Sequence, residues 1–272
     1  MNLLGDYLRA RRDLVRPEDV GIPATGQRRV PGLRREEVAM LAGISTDYYL
    51  RLEQGRDRSP SMQVLDALAR VLLLDEPSRG YLAGLAGPRS RPAPRTRAEK
   101  VPPGILQLLD TVGVPALVES RYFDVLATNA HALAVSPRLV PGSNRIRSIF
   151  LDEEERAIHP DLDRSAAGMV AGFRQSVGAA IDDPRCVQLV GELSLGSEQF
   201  RRLWARHDVK VPEGANVRLL HPEVGEIHLR KEKLVIPGTD GQLFVMYHAE
   251  PGSDSARSLA LLGSLAATRS PQ

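Results

Sequence analysis

The feature that most constrains this chain is a proline-rich stretch near its middle. GPRSRPAPRTRAEKVPPG, residues 87–104, holds five prolines among arginines and almost no large apolar side chain. Such a stretch cannot bury enough apolar surface to fold by itself, and its composition is typical of a linker. We therefore expect two domains in the 272 residues, 1–86 and 103–272, joined by a linker over 87–102. Each domain must then build a core of its own.

Apolar periodicity predicts different structures on the two sides of the linker. Before it, leucines and valines recur every three or four residues, which indicates an all-α domain of five helices. After it, VPALVES and YFDVLATN have the composition of short strands, and a long helical middle follows. VRLLH, EIHLRKEKLVI and QLFVMYHAE then predict three more strands. The predicted fold class is α followed by α+β.

The charges are distributed unevenly along the chain. Residues 1–100 contain 18 basic and 13 acidic side chains, whereas the remainder contains 18 and 21. The basic half is the candidate for a polyanionic partner, and all its basic residues except Lys100 are arginines. The arginine fork suits bidentate contacts to phosphate and to guanine. A GC-rich genome would also enrich arginine, so composition alone leaves both explanations open.

Several functional classes find no support in the sequence. No apolar run approaches the ~20 residues of a membrane span, and the N-terminus lacks a secretory signal, which favours a cytoplasmic protein. The single cysteine, Cys186, excludes an internal disulfide and agrees with a reducing compartment. The six histidines show no metal-ligand spacing, and GELSLG lacks the first glycine of a nucleophile elbow. We expect no enzyme, no metal and no cofactor.

The most informative segment is LRREEVAMLAGISTDYYLRLEQGR, residues 33–56, where two short helical patterns flank a turn at Gly43. Ser45 is placed to cap the second helix. The inward face of the first helix is predicted to contain Val38, Ala39, Leu41 and Ala42. The second helix would then point four side chains away from the core, in position to enter the major groove of DNA. These base-reading candidates are Thr46, Asp47, Tyr48 and Arg51.

This segment resembles the helix-turn-helix of the Cro/C1-type (XRE) repressors in its alanine, glycine, apolar, serine turn and its closing Leu-Glu-Gln-Gly. The resemblance implies binding to double-stranded DNA. It also implies a phosphate contact at the start of the first motif helix, where Arg35 stands beside Arg34. A helix N-terminus and an arginine both favour an anion. The phosphate-contact candidates are Arg28, Arg29, Arg34, Arg35, Ser45, Arg56 and Arg58.

Two features depart from the short phage-type motif. The insertion RPEDVGIPATGQRRVPG, residues 16–32, forms a longer loop that brings Arg28 and Arg29 to the backbone or the adjacent minor groove. Asp47 places an anion on the DNA-facing helix, where it either accepts from cytosine N4 or complements the helix dipole. Helix-turn-helix geometry also occurs in protein-binding domains. A protein-interaction module without DNA or small-molecule ligand is therefore the alternative reading.

The insertion, VPGLRREEVA and DYYLRLEQGR resemble a branch of these regulators that carries an MmyB-like ligand-binding domain. RYFDVLATNAHALAV, GELSLGSEQFRRLWARHDV and HPEVGEIHLRKEKL resemble that domain itself. The resemblance implies a PAS-like fold, in which an antiparallel sheet carries capping helices over one face. It further implies an apolar cavity for a small hydrophobic ligand, fatty-acid-like compounds among them.

Candidate pocket residues come from helical and strand spacing in the second domain. They are Phe123, Leu126, Phe150, Met169, Phe173, Arg174, Phe200, Leu203 and Trp204. The competing interpretation is ordinary core packing, because aromatic side chains at helical spacing usually pack a fold. Arg145 and Arg174 either anchor a carboxylate or face solvent, and Asn129 is placed to cap a helix.

The expected mechanism is a homodimer that binds a near-palindromic operator. Two recognition helices would lie about one DNA turn apart, roughly 34 to 36 Å. The ligand would change operator affinity by binding the DNA-competent and DNA-incompetent arrangements unequally. SDSARSLALLGSLA, residues 253–266, is a candidate amphipathic contributor to the dimer.

Overall fold

A computed structural model describes residues 2–23, 30–57, 59–87, 99–211 and 214–269. The N-terminal part is helical, and a short 3₁₀ helix, Pro17–Val20, follows its first α-helix. Its α-helices are α1 Leu3–Leu14, α2 Arg35–Ala42, α3 Thr46–Gln54, α4 Met62–Val71 and α5 Glu76–Ala86. The predicted five-helix organisation is therefore confirmed.

These helices enclose one apolar core, to which every one of them contributes. Its fully buried members include Tyr7, Leu8, Leu33, Val38, Tyr49, Leu52 and Leu68. Leu41 was predicted to face this core, but 38% of its surface is exposed. The buried arc of α2 is narrow, because Val38, Ala39 and Ala42 cluster on one side and Leu41 falls outside that arc.

The C-terminal domain contains a five-stranded sheet in the order β2-β1-β5-β4-β3 with antiparallel neighbours. Its strands are β1 Ala116–Glu119, β2 Val125–Thr128, β3 Ala215–His221, β4 Gly225–Val235 and β5 Leu243–His248. Each predicted strand run overlaps one of them, and β3 and β4 begin slightly before the predicted runs. A helical segment is inserted between β2 and β3, so the predicted antiparallel sheet with capping helices is confirmed.

Eight α-helices of the described residues accompany this sheet, and a 3₁₀ helix, Gly178–Asp182, separates two of them. They are α6 Pro103–Thr111, α7 Ala130–Val135, α8 Arg145–Leu151, α9 Glu153–Ala157, α10 Leu162–Val177, α11 Pro184–Gly196, α12 Glu198–Ala205 and α13 Asp254–Arg269. Asn129 caps α7 as predicted, because its side chain accepts from the Ala132 N–H at 2.9 Å. Within the described ranges, no helix has the length and apolar composition of a transmembrane segment.

Both faces of the sheet are covered, which corrects the expectation of helices over one face. Leu117 and Val245 pack under α7 on one face. Val118 and Phe244 pack against Leu109 of α6 on the other. The physical reason lies in β1, whose consecutive apolar residues leave no polar face for solvent.

The amphipathic C-terminal segment forms α13 and packs on its own sheet. Leu262 is buried among residues of α7 and the sheet. The hydroxyl of Ser255 accepts a hydrogen bond from the His228 N–H at 2.9 Å. Part of its apolar surface is thus used within the protomer.

Candidate DNA-binding surface and ligand cavity

The turn between α2 and α3 is built as the sequence predicts. Gly43 adopts a left-handed conformation (φ 68°) that ends α2, and the Ser45 hydroxyl caps α3 by accepting from the Tyr48 N–H at 3.1 Å. Tyr49 and Leu52 are fully buried and fix the inner side of α3. The first turn of α3 is consequently held rigidly at the surface.

The four base-reading candidates lie together on that exposed side. Thr46 and Asp47 are exposed, and Arg51 is half-buried. Asp47 and Arg51 form an ion pair one helical turn apart, and the Arg51 guanidinium lies 5.6 Å from the Tyr48 ring centroid. Tyr48 itself packs partly against the helical core. Besides its two predicted roles, Asp47 thus orients Arg51.

A buried carboxylate holds one phosphate-contact candidate in place. Glu53, at the end of α3, is fully buried and accepts from Arg35 Nε at 2.6 Å and from Arg12 Nε at 2.7 Å. Burial acts to raise the pKa of Glu53, but the two arginines outweigh it and lower that pKa. The Arg35 side chain is still 44% exposed, so its remaining N–H groups face outward. Sequence reasoning missed Glu53, although it shares the inward face with Tyr49 and Leu52.

The other phosphate candidates have different surroundings. Arg34 is half-exposed at the N-terminus of α2, and its backbone N–H donates to Glu37 Oε2 at 2.6 Å. Arg56 is exposed just after Gly55, which ends α3 in a left-handed conformation (φ 69°). The Ser45 hydroxyl acts as the helix cap. Arg28, Arg29 and Arg58 lie outside the described residues.

A cavity of about 360 Å³ lies between α10 and the face of the sheet that α7 also covers. Its walls also include residues of α8, the segment after α7, and the segment before β3. The apolar part of its lining comprises Phe123, Val135, Leu139, Ile149, Ile158, Met169, Val211, Val217 and Leu219. This volume lies within the range typical of small-molecule sites, about 300 to 1,000 Å³.

A cluster of buried charges lies where β1, β4 and α8 border the cavity. Glu119 is fully buried in this cluster and accepts from Arg145 Nη1 at 2.6 Å and from Lys233 Nζ at 2.6 Å. Arg145 also donates to the Tyr247 hydroxyl at 2.7 Å. Burial acts to raise the pKa of Glu119, yet Lys233 and Arg145 together lower it to about 2. The carboxylate is therefore ionised, with two cations sharing its charge.

Lys231 adds a third cation to this cluster. Burial, followed by repulsion from Lys233 and Arg145, lowers the pKa of Lys231 to about 7. Among the described residues, no carboxylate forms an ion pair with its ammonium group. We call Arg145, Lys231 and Lys233 the cationic end of the cavity. These three cations outnumber the two buried carboxylates that interact with Arg145, Glu119 and Glu155.

Comparison with protein families agrees with both halves of this geometry. A helix-turn-helix domain model matches residues 3–82. The model of the MmyB-like transcription regulator ligand binding domain matches residues 101–262, more than half of the chain. The chain belongs to this MmyB-like family. A comparison with curated proteins finds no match.

The chain is thus a helix-turn-helix transcription regulator with an MmyB-like domain, as its sequence predicted. Neither matched family is a family of enzymes. Within the described part of the chain, no three His, Cys, Asp or Glu side chains are grouped so as to hold a metal ion.

The nine pocket residues predicted for the MmyB-like domain divide between the cavity and the surrounding core. Phe123 and Met169 line the cavity. Five others pack behind α10 in an apolar cluster, where the Phe150 and Phe200 rings lie 5.3 Å apart. These five are Phe150, Phe173, Phe200, Leu203 and Trp204.

The last two predicted pocket residues also lie away from the cavity. Leu126 packs against the face of the sheet that α6 covers. Arg174 is fully buried, and its guanidinium lies 3.8 Å from the Trp204 ring centroid. These seven side chains are not part of the lining of this cavity, and their contact with a ligand stays a prediction. Helical spacing identifies buried faces, but it does not tell which face borders a cavity.

Sequence reasoning missed most of the charged lining. Lys231 and Lys233 follow Ile227 and Leu229 at every second position of β4, so all four point to the same face. That spacing is the signal that could have located the two lysines in the interior. No comparable signal pairs them with Glu119 on β1, because that contact depends on the strand order.

Proposed function

We propose that this regulator binds a specific DNA operator as a homodimer and changes its operator affinity when a small hydrophobic acid occupies the cavity. The protein acts in the cytoplasm and without catalysis. The observation that carries the proposal is a cavity that combines an apolar part of its lining with the cationic end, in a chain that also presents an exposed recognition helix. The domain division at 1–86, 87–102 and 103–272 remains part of this proposal.

Two arginines support the DNA part of the proposal and have separable roles. Arg35 is held by Glu53 at the N-terminus of α2, where it suits a phosphate contact that is independent of sequence. Arg51 lies on the exposed side of α3 with Asp47, where it suits a base edge in the major groove. Arg34, Arg56 and Ser45 flank the same surface, and Arg28, Arg29 and Arg58 are proposed to add phosphate contacts.

The cavity supports a ligand with an apolar tail and an anionic head. Its apolar lining would remove a hydrocarbon chain from water, which contributes about 0.8 kcal/mol per buried CH₂ group. A carboxylate at the cationic end would balance the excess charge of Lys231 beside the Arg145, Lys233 and Glu119 group. A fatty-acid-like compound combines both properties.

The DNA part is tested by titrating fragments of the protein's own upstream region at two salt concentrations. Specific binding should weaken steeply as salt rises, because phosphate contacts release counterions. Arg35→Ala should lower affinity for all sequences, whereas Arg51→Ala should relax preference at particular base pairs. If both variants lose the same DNA affinity on all sequences, the assignment of Arg51 as a base-reading residue would be contradicted. Salt-insensitive or absent binding would favour the protein-interaction alternative.

The ligand part is tested by calorimetry with dodecanoate and, as a matched control, dodecanol. The two probes share a hydrocarbon tail and differ in charge. Dodecanoate should bind more tightly than dodecanol, and Lys231→Met should narrow that difference. Equal affinities of the two probes would contradict the anionic head group.

A further inference from the structure

The helix-turn-helix region packs directly against the MmyB-like domain, through the connection between α12 and β3. Arg11 of α1 forms an ion pair with Asp208 at 2.8 Å. Val209, the next residue, is buried in the apolar core that the N-terminal helices build. In return, Leu3 of α1 is buried among the apolar residues of the MmyB-like domain. Each domain therefore completes part of the other's core.

A second set of contacts surrounds the same connection. The rings of Tyr7 in α1 and His207 lie 6.3 Å apart. His207 adopts a left-handed backbone conformation (φ 54°), which is uncommon for a residue with a side chain. Arg174 of α10 donates to the Trp204 carbonyl at 2.5 Å and also interacts with Tyr81 of α5. His207 thus combines an uncommon backbone conformation with an aromatic contact to α1.

The other end of the same connection forms part of the cavity wall. Lys210 and Val211 line the cavity, and the Lys210 N–H donates to the Ala171 carbonyl of α10 at 3.2 Å. Residues 207–211, which we call the connector, therefore contact the helix-turn-helix region at one end and the cavity at the other. Val211 and Val209 are two residues apart, about 7 Å of chain at most.

We propose that the connector couples ligand occupancy to the docking of the helix-turn-helix region. This inference rests on the proposed function and adds the segment through which the cavity acts on the helix-turn-helix region. A ligand that displaces Val211 or Lys210 acts through this short segment on Val209 and Asp208. The docked contacts of Val209 and Asp208 then change with the state of the cavity. By linkage, a change in docking must alter ligand affinity by the same factor that the ligand alters docking.

The experiment measures the distance between the two domains by fluorescence energy transfer. Labels are placed at Met62→Cys in α4 and Leu195→Cys in α11, which are both exposed positions. Cys186 is fully buried, and burial raises the pKa of its thiol to about 12, so it stays unlabelled. Val209→Asp and Asp208→Ala weaken docking. Glu192→Ala, which breaks the Arg147 ion pair away from the connector, is the matched control.

Undocking is measured first in the absence of ligand. Val209→Asp should lower transfer efficiency and Asp208→Ala should lower it less, whereas Glu192→Ala should leave it unchanged. Circular dichroism verifies that each variant is folded, and Asp208→Ala serves alone if Val209→Asp does not fold. Unchanged transfer in the folded docking variants would overturn the inference, whatever the ligand proves to be.

Dodecanoate is then added, and its binding is measured separately by calorimetry. It should change transfer efficiency in the parent and in Glu192→Ala, and change DNA affinity by about fivefold or more. In Val209→Asp, dodecanoate should leave the transfer efficiency nearly unchanged and should change DNA affinity by less than about twofold, because the coupling is lost. If dodecanoate binds and Val209→Asp keeps the full change in transfer efficiency and DNA affinity, the proposed coupling role of the connector would be overturned. Absent dodecanoate binding would count against the proposed ligand, and the ligand-free comparison would then decide on the docking contacts.

Discussion

Glu119 illustrates how a single residue stabilises the charged end of the cavity. Its carboxylate is the shared partner of Arg145 and Lys233, and all three side chains are largely buried. Glu119→Gln removes the carboxylate that both buried cations contact, so we expect the free energy of unfolding to fall by about 3 to 5 kcal/mol. Denaturant titration followed by the fluorescence of Trp204, the single tryptophan, measures this loss.

The control for Glu119→Gln is Asp254→Asn, which breaks an exposed ion pair with Arg257. That change should cost less than about 1 kcal/mol. Because the folded-state pKa of Glu119 is lowered to about 2, its stabilisation is present above the ordinary glutamate value of 4.5. It should disappear as the pH falls from 4.5 towards 2. Equal losses of unfolding free energy in Glu119→Gln and Asp254→Asn would contradict a stabilising role for the buried ion pairs of Glu119.

Lys231 gives ligand binding a pH dependence with a definite sign. Burial and neighbouring cations lower its pKa to about 7, and a bound carboxylate would raise it again. Below pH 7 the ammonium is already charged, so dodecanoate affinity should be constant between pH 6 and 7. Above pH 7 binding must take up a proton, and affinity should fall by up to about tenfold per pH unit. Calorimetry should show no such fall in Lys231→Met.

At this scale the sequence identifies residue types but not all partnerships. The Ser45 cap and the Asn129 cap follow from local spacing and are confirmed. The pairing of Glu53 with Arg12 and Arg35 depends on how three helices pack, which local patterns do not encode. Long-range ion pairs are therefore the part of the site that local sequence patterns do not predict.

The first turn of α3 is capped by the Ser45 hydroxyl and carries two of the base-reading candidates. Ser45→Ala removes its cap and should lower the free energy of unfolding by about 1 kcal/mol. The same loss frays the turn that presents Thr46 and Asp47, so operator affinity should also fall. Ser61→Ala removes the equivalent cap of α4 and should reduce stability by a similar amount. Thermal unfolding and operator titration of both variants separate the two effects.

Operator affinity that falls equally in Ser45→Ala and Ser61→Ala would contradict a specific role for the first turn of α3.

The order of the elements could be predicted from sequence. Two strands, several helices and three strands follow directly from periodicity and composition, and all five strands are confirmed. The helix α6 on the second face of the sheet was not predicted, because a continuous apolar run does not identify the partner that covers it.

For the whole molecule, the proposed homodimer predicts a fixed operator geometry. Two copies of α3 would read half-sites about one DNA turn apart. Inserting about 5 base pairs between the half-sites moves them to opposite sides of the duplex, and affinity should fall by about tenfold or more. Inserting a full turn, about 10 base pairs, should restore part of it. Equal affinity for all three spacings would contradict a symmetric dimer.

Under the proposed function, a hydrophobic acid in the cavity changes operator affinity. The most direct measurement is a fluorescence-anisotropy titration of labelled operator with and without dodecanoate, with dodecanol as the uncharged control. We expect dodecanoate to shift operator affinity by about 5- to 150-fold. Dodecanol should have a smaller effect, and Lys231→Met should lose most of the response. The probes are used at concentrations that calorimetry shows to saturate the cavity. Operator affinity that is the same with dodecanoate, with dodecanol and without either probe would contradict control of DNA binding by a hydrophobic acid.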